Sequence, residues 1–438
     1  MQTFNLPPNF KEHLLAWINT HETAILLDSN KQEENNQQYS SWDILAAVGV
    51  KAILEVMSGS FSIEHLQSFQ SQNKGKWLFG YFSYDLKNNL ESLTSNNYDG
   101  LTWPEALLFQ PEITIGVRDN RVEVYSENKD AETILKDIMT CPLVDEMGIN
   151  QTIQLQPRIS KQAYLLAVNK IKNHIKLGDI YELNYCQEFF AYPNQLEPAP
   201  LFNRLNKIAK APFSAFLKRL DKTLLCASPE RFLKKRGQQL ISQPIKGTRK
   251  RGLNQLDDKQ VRDELINNPK DRSENIMIVD LVRNDLAKNC IPGSVKVEEL
   301  CHIYSFPTVH QMISTISGTL PQGTNSIQAI LDAFPMGSMT GAPKVMAMNL
   351  IERYEESKRG LYSGAVGYFD PNGDFDFNVV IRSLQYNASE KYLSCSVGGA
   401  IVYESDPEQE YEECLTKMAA IQSALSVNHS NTTSQKRS

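Results

Sequence analysis

The chain has 438 residues, of which 41% are hydrophobic and 22% charged, and 45 lysines and arginines stand against 51 acidic residues for a formal net charge of −6. That profile belongs to a folded protein able to bury a core without disulfides or metals, and length alone predicts roughly two or three domains. The acidic balance excludes the broad basic footprint of a nucleic-acid binder. The most apolar long stretch, Trp42–Met57, carries Asp43, Lys51 and Glu55, which excludes a bilayer span there.

In chain order, the opening Met1-Gln2-Thr3-Phe4-Asn5-Leu6-Pro7-Pro8 lacks the basic-then-apolar pattern of a signal peptide. Lys31 to Gln38 reads as a solvated loop and Ser71 to Gly75 as a turn. Trp77 to Tyr84 reads as a buried aromatic strand, and residues 112–126 as a strand pair turned at Asp119-Asn120. The loop between Pro142 and Pro157 marks a boundary, giving an N-terminal domain over residues 1–150 and a second over 151–426. Ser160 is placed to cap a helix whose Tyr164, Val168, Ile171 and Ile175 recur at helical spacing up to Gly178. Leu361–Phe369 and Phe375–Gln385 read as a hairpin across Asp370-Pro371-Asn372-Gly373-Asp374, with a third strand from Lys391. Residues 427–438 are polar and are expected to be disordered.

The seven cysteines, Cys141, Cys186, Cys226, Cys290, Cys301, Cys395 and Cys414, form no C-x-x-C pair. Scattered reduced thiols, rather than a zinc site or disulfide framework, are expected, which points to the cytoplasm.

Several segments carry candidate chemistry. Ser405 and Glu408 have capping-box spacing and Pro407 suits a first turn, so a helix is predicted to begin there. Glu410 and Glu413 then share a face, with Lys417 one turn on. This is either an oxygen-rich site for a hard cation such as Mg²⁺ or a solvated acidic helix start. A second acidic helix, Asp271 to Asn289, is expected to bury Ile276, Val279 and Val282–Leu286 and to offer Glu274 as a third ligand or as an ordinary first-turn residue. Gly337-Ser338-Met339-Thr340-Gly341-Ala342-Pro343-Lys344 is not a P-loop, yet it offers helix N-terminal N–H groups to an anion or forms a plain turn. Lys246, in Pro244-Ile245-Lys246-Gly247-Thr248, is a surface residue or, if desolvated, a nucleophile. His310 is an acid/base or a hydrogen-bonded core histidine.

Taken in order, Ser228-Pro229-Glu230-Arg231-Phe232, the Lys246 segment, Asp271-Arg272-Ser273-Glu274-Asn275, Asp280-Leu281-Val282-Arg283-Asn284-Asp285-Leu286, the Gly337–Lys344 segment, Gly364-Ala365-Val366-Gly367-Tyr368 and Ser405-Asp406-Pro407-Glu408 before Glu410 resemble the chorismate-utilising enzymes. The likeness is strong from about Ser160 to Leu425 and continues more weakly upstream, through Leu26-Leu27-Asp28-Ser29, Gly80–Asp85 and Trp103–Leu107. The resemblance implies a two-domain, four-layer α+β sandwich with antiparallel sheets inside and helices outside. It implies Mg²⁺ held by Glu274, Glu410 and Glu413, and Glu230 as the general acid for the departing C4 hydroxyl. Thr248, Tyr362, Arg382, Gly398, Gly399 and Lys417 would hold the substrate, His310 would match the family's active-site histidine, and Leu27, Asp28 and Ser29 would border a tryptophan pocket.

Lys246 implies the branch that makes 4-amino-4-deoxychorismate on the route to 4-aminobenzoate and folate, since the anthranilate-forming branch usually has alanine there. Isochorismate-forming relatives carry a water-activating lysine where this chain has Glu182, which implies that their activity is absent. Glutamine is common at that position, and Gln311 replaces a frequent second histidine. Anthranilate synthesis and a non-catalytic chorismate-binding subunit are the alternatives. The resemblance further implies a separate glutamine amidotransferase subunit as ammonia source and a separate aminodeoxychorismate lyase downstream, with no nucleic-acid or membrane partner.

Overall fold

The computed structural model describes residues 1–31, 41–143 and 152–426. Most of the expected loop at 31–38, part of the expected boundary loop and the expected tail 427–438 lie outside the described residues.

Alternation along the strands builds the core. In Thr23–Asp28, Ala24 and Leu26 enter one apolar cluster and Ile25 another. In Phe213–Arg219, Phe216 joins Leu26 while Ala215 and Leu217 join Ile25. The strand Leu78–Phe82, inside the expected Trp77–Tyr84 segment, likewise sends Phe79 and Tyr81 to that shared cluster and Leu78 and Phe82 to a third. Successive side chains point to opposite faces of a sheet, so the shared cluster is the filling between two sheets.

The first sheet has 12 strands. It runs from Gln2–Asn5 through Arg121–Ser126, Ile113–Arg118, Ile44–Val48, Thr23–Asp28, Phe213–Arg219, Lys222–Ser228, Ser383–Asn387, Tyr392–Ile401 and Glu182–Ala191 to Gly341–Ala342, with Gln156–Pro157 beside Glu182–Ala191. The second has 10 strands. It runs from Ile245–Lys250 through Val309–Thr319, Gln239–Gln243, Arg231–Arg236, Phe375–Asn378, Ala365–Phe369, Leu78–Phe82 and Ala106–Gln110 to Ala52–Val56, and Lys296–Ser305 pairs with Val309–Thr319. The ladders are antiparallel, and strands from both sides of residue 150 enter both sheets.

Helices cover the outer faces. Phe10–Asn19, Ala131–Thr140, Lys161–Leu177, Pro198–Ala209, Lys344–Tyr354 and Pro407–Leu425 pack on the first sheet. Ile63–Gln72, Pro269–Ala287 and Ser326–Ala333 pack on the second. The expected α+β architecture of two antiparallel sheets between helices is therefore the observed one.

Local signals hold at several points. Ser160 accepts from the Ala163 N–H at 3.2 Å, and Gly178 closes that helix at φ 85°. Asp119 and Asn120, at φ 50° and 57°, turn the pair Ile113–Arg118 and Arg121–Ser126. Three expectations need correction. Asp406, not Ser405, caps the helix Pro407–Leu425, accepting from Gln409 N–H at 3.0 Å, while Ser405 is buried and donates to Glu410 Oε1 at 2.7 Å. In Pro269–Ala287, Ile276 is 41% exposed whereas Ile278 is 1% exposed, because the buried stripe runs through Asn275, Ile278, Val279, Val282 and Leu286. The segment Phe375–Gln385 is not one strand: Phe375–Asn378 belongs to the second sheet and Ser383–Asn387 to the first, and Arg382 sits at the crossing with φ 51°.

Candidate active site

That crossing and the end of the neighbouring strand Lys222–Ser228 position Glu230. Glu230 follows Ser228, whose Oγ accepts from the Glu230 backbone N–H at 3.1 Å. The Glu230 side chain is buried, and its Oε1 accepts from Ser338 Oγ at 2.7 Å. Burial pushes the carboxyl up to about 7, while the Ser338 hydrogen bond and the Lys246 and Arg382 charges pull more weakly downward. A carboxyl that keeps its proton near neutrality is suited to protonating a leaving hydroxyl. Arg382 is half-buried, and desolvation lowers its pKa against the attraction of Glu230.

Lys246 enters from the edge of the second sheet. The strand Ile245–Lys250 shifts register against Val309–Thr319 between Ile245 and Thr248, and Gly247 takes φ +90° there. A Cβ at Gly247 would stand 3.0 Å from Leu265 and 3.1 Å from Asp271, so both backbone conformation and space call for glycine. Lys246 Nζ donates to Glu182 Oε1 at 3.0 Å, the two side chains being 12% and 1% exposed. Glu182 opens the strand Glu182–Ala191 of the first sheet, so this ion pair ties one sheet to the other. Burial disfavours the ammonium, but Glu182, then Glu274 and Glu230, outweigh it and hold the Lys246 pKa above its usual value.

The three expected metal ligands come from two helices. Lys270 Nζ stands 3.8 Å from Glu274 Oε1 and 3.9 Å from Glu410 Oε1. Burial pushes Glu274 up to about 6 and also raises Glu410. Glu410 and Glu413 both overlook Gly399, where a Cβ would lie 3.3 Å and 3.5 Å from their oxygens. Among the described residues no group of three His, Cys, Asp or Glu forms a ready metal cage. An all-oxygen set of two or three carboxylates nonetheless fits Mg²⁺, which commonly binds one or two protein carboxylates and completes its shell with substrate and water. Lys417 donates to Glu413 Oε1 at 2.7 Å and to Gly398 O at 2.7 Å, placing its ammonium at the same corner.

The other expected residues divide. Thr248 pairs in register with Gln311, on the face of Val309–Thr319 opposite His310. The His310 ring is 1% exposed and is held by Asp258 at 3.0 Å and Ser305 at 2.8 Å. It is thus tied to the helix Gln255–Asn267. Tyr362 is buried, its hydroxyl facing Cys186 Sγ at 3.7 Å. Leu27, Asp28 and Ser29 line a separate pocket with Trp42, Phe213, Arg231, Tyr368 and Asp376. Asp28 there accepts from Asn206 Nδ2 at 2.7 Å and pairs with Lys11.

Sequence reading alone misses Ser338 as the partner of Glu230 and Lys270 between the carboxylates. Gln311, noted there only as replacing a histidine, has both amide atoms buried without a hydrogen-bond partner among the described residues. Ser338 lies in the glycine-rich segment already singled out, which was the available signal. Lys344, which ends that segment, donates to Asp285 Oδ2 at 2.6 Å.

Residues 22–423 match the chorismate binding enzyme family, and the chain belongs to it. Among its relatives, aminodeoxychorismate synthase component 1 of Salmonella typhimurium is 35% identical over 344 residues, covering 78% of this chain and 75% of the relative. Anthranilate synthase component 1 of Saccharolobus solfataricus is 33% identical over 350 residues, covering 80% of each. The solved structure of anthranilate synthase component I from Streptococcus pneumoniae has a TM-score of 0.76 at 22% identity, covering 86% of this chain and 91% of that one. MenF, the menaquinone-specific isochorismate synthase of Escherichia coli, also gives 0.76, at 16% identity over 97% of this chain and 94% of that one. Both share the fold. Among the described residues no helix is long and apolar enough to cross a membrane.

Proposed function

We propose that the protein is the synthase subunit that converts chorismate and ammonia to 4-amino-4-deoxychorismate. The observation that carries this reading is a buried lysine amine and a proton-bearing carboxyl in one site: Lys246, with its Nζ 3.0 Å from Glu182, and Glu230, raised to about 7 and sensing the Lys246 charge. An amine adding at C2 of the substrate forms the C2–N bond, moves the two ring double bonds one position each, and expels the C4 hydroxyl as water with the Glu230 proton. Ammonia then adds at C4, the double bonds move back, and the lysine leaves C2 as a neutral amine. The enolpyruvyl group at C3 is untouched. Without a lysine, ammonia would itself add at C2 and the product would be anthranilate.

Arg382, half-buried and interacting with Glu230, is suited to a substrate carboxylate, as is Lys417 beside Gly398 and Gly399. Thr248 would offer its hydroxyl from the same strand as Lys246. Mg²⁺, bound by Glu274, Glu410 and Glu413, would neutralise the ring carboxylate among these acidic groups. The pocket of Leu27, Asp28 and Ser29, with aromatic Trp42, Phe213 and Tyr368 and the acidic Asp376, would take an aromatic amino acid such as tryptophan. Relatives named as component 1 support a separate second subunit. In this reading it would be an amidotransferase supplying ammonia from glutamine, and a separate lyase would release 4-aminobenzoate.

The test is to incubate the purified chain with chorismate, Mg²⁺ and an ammonium salt and to identify products by liquid chromatography and mass spectrometry. An amine that retains the enolpyruvyl group and becomes 4-aminobenzoate on adding a lyase is expected. Anthranilate with pyruvate would overturn the assignment.

A further inference from the structure

The resting pair poses a chemical problem. A lysine adds to carbon only as the free amine, yet Nζ of Lys246 sits as an ammonium against Glu182. Glu182 is 1% exposed, and its second oxygen, Oε2, is buried with no hydrogen-bond partner among the described residues. A buried carboxylate that makes one charged contact and leaves its other oxygen unsatisfied is costly as a structural device. The same carboxylate becomes inexpensive once protonated, since the charge is gone and the pair is neutral.

We infer that Glu182 is a positioning residue that both holds Lys246 Nζ and takes its proton when the amine adds to the substrate. This rests on the reading of Lys246 as the nucleophile. The proton moves from Nζ to Glu182; the neutral amine forms the C2–N bond as water departs with the Glu230 proton, leaving a secondary ammonium at C2 and ionised Glu230. When ammonia bonds C4, the C2–N electrons return to nitrogen and Lys246 leaves as an amine. Glu182 then gives its proton back to Nζ, and Glu230 recovers one from the new C4 ammonium.

The other charges facing Nζ are carboxylates of different elements. Glu274 on Pro269–Ala287 and Glu230 after Lys222–Ser228 favour the ammonium, and Glu413 on Pro407–Leu425 feels the Lys246 charge in turn. Glu182 alone among them contacts Nζ at hydrogen-bond distance in the described residues.

Glu182→Gln separates two roles by sign. If Glu182 serves only as a fixed counter-charge, its removal eases deprotonation of Lys246 and the ammonia-dependent rate near pH 7 rises or holds. If it receives the proton, kcat falls by about 100-fold with KM for chorismate nearly unchanged. The deficit then narrows as pH rises and solvent takes over the deprotonation, and Glu182→Asp recovers part of the rate. Thermal unfolding shows whether the variants are folded, and Glu182→Asp serves as the readout if Gln does not fold. An unchanged or raised kcat, or a loss confined to KM, overturns the inference. Failure of the nucleophile reading shows separately, as anthranilate formed by the unaltered protein.

Discussion

Ser338 Oγ donates to Glu230 Oε1 at 2.7 Å, yet Glu230 still titrates at about 7 because burial outweighs this hydrogen bond and the Lys246 and Arg382 charges. The relationship joins a glycine-rich turn on one element to a carboxyl after a strand of the first sheet, and it fixes the Glu230 oxygen while leaving the proton in place. Glu230 must be protonated to act as the acid, so kcat/KM for chorismate should be full below its pKa and decline as pH rises through about 7. Glu230→Gln should lose that limb together with about 100-fold in kcat. A pH profile of kcat/KM for both proteins checks this.

Protonation of the same group also bears on folding. Its folded pKa, about 7, is raised above the ordinary carboxyl value, so its stabilising contribution is complete below that ordinary value and is lost as pH rises to about 7. Glu230→Gln should therefore flatten the decline in unfolding free energy between acidic and neutral pH, as read by urea titration at several pH values.

Gly398 and Gly399 are expected to respond differently to alanine. A Cβ at Gly398 would stand 2.2 Å from the Tyr185 carbonyl oxygen, a backbone atom with nowhere to go, so Gly398→Ala should cost stability by about 1–3 kcal/mol. At Gly399 the nearest atoms are side-chain ends, those of Glu410, Glu413 and Lys417, and none is closer than 3.3 Å. Gly399→Ala should fold normally and raise KM for chorismate. Denaturant melts and steady-state kinetics on the two variants separate these effects.

Asp376 holds two buried cations at once. Arg231 approaches it at 2.9 Å and Lys234 at 3.1 Å, both about 4% exposed. Asp376→Ala removes the carboxylate that both buried cations share and should destabilise the protein by about 3–5 kcal/mol. A variant that unfolds at the same urea concentration as the parent would contradict this.

Activity should vanish with a chelator and return with Mg²⁺. Glu413→Gln should raise the Mg²⁺ concentration needed for half-maximal rate, because it removes one hard oxygen charge beside Lys417 without disturbing the buried Glu410.

Much of this arrangement is legible in the order of residues, where the signal is local. Ser160 and Gly178 bound their helix, Asp119-Asn120 turn their hairpin, and Glu410 and Glu413 share a face because three residues nearly complete a helical turn. The Ser405 and Asp406 difference is a one-residue matter: both are competent caps, and burial of Ser405 under Glu410 decides between them. The split of Phe375–Gln385 between two sheets is not announced by a turn signal, because apolar residues run on through Val379-Val380-Ile381 and only the third dimension assigns the two halves. The same holds for Lys246 and Glu182, which are far apart in the chain and meet because two sheets face each other. His310 and Gln311 illustrate period two at its most consequential: adjacent residues, one held by Asp258 and Ser305 and the other level with Thr248.

Addition of Lys246 to chorismate is open to intact-protein and peptide mass spectrometry in the absence of ammonia. The unaltered protein, given chorismate and Mg²⁺, should gain the mass of chorismate less one water on the peptide containing Lys246, and Lys246→Ala should gain nothing. An unaltered protein that carries no adduct, and that turns over with ammonium to release anthranilate, would contradict it.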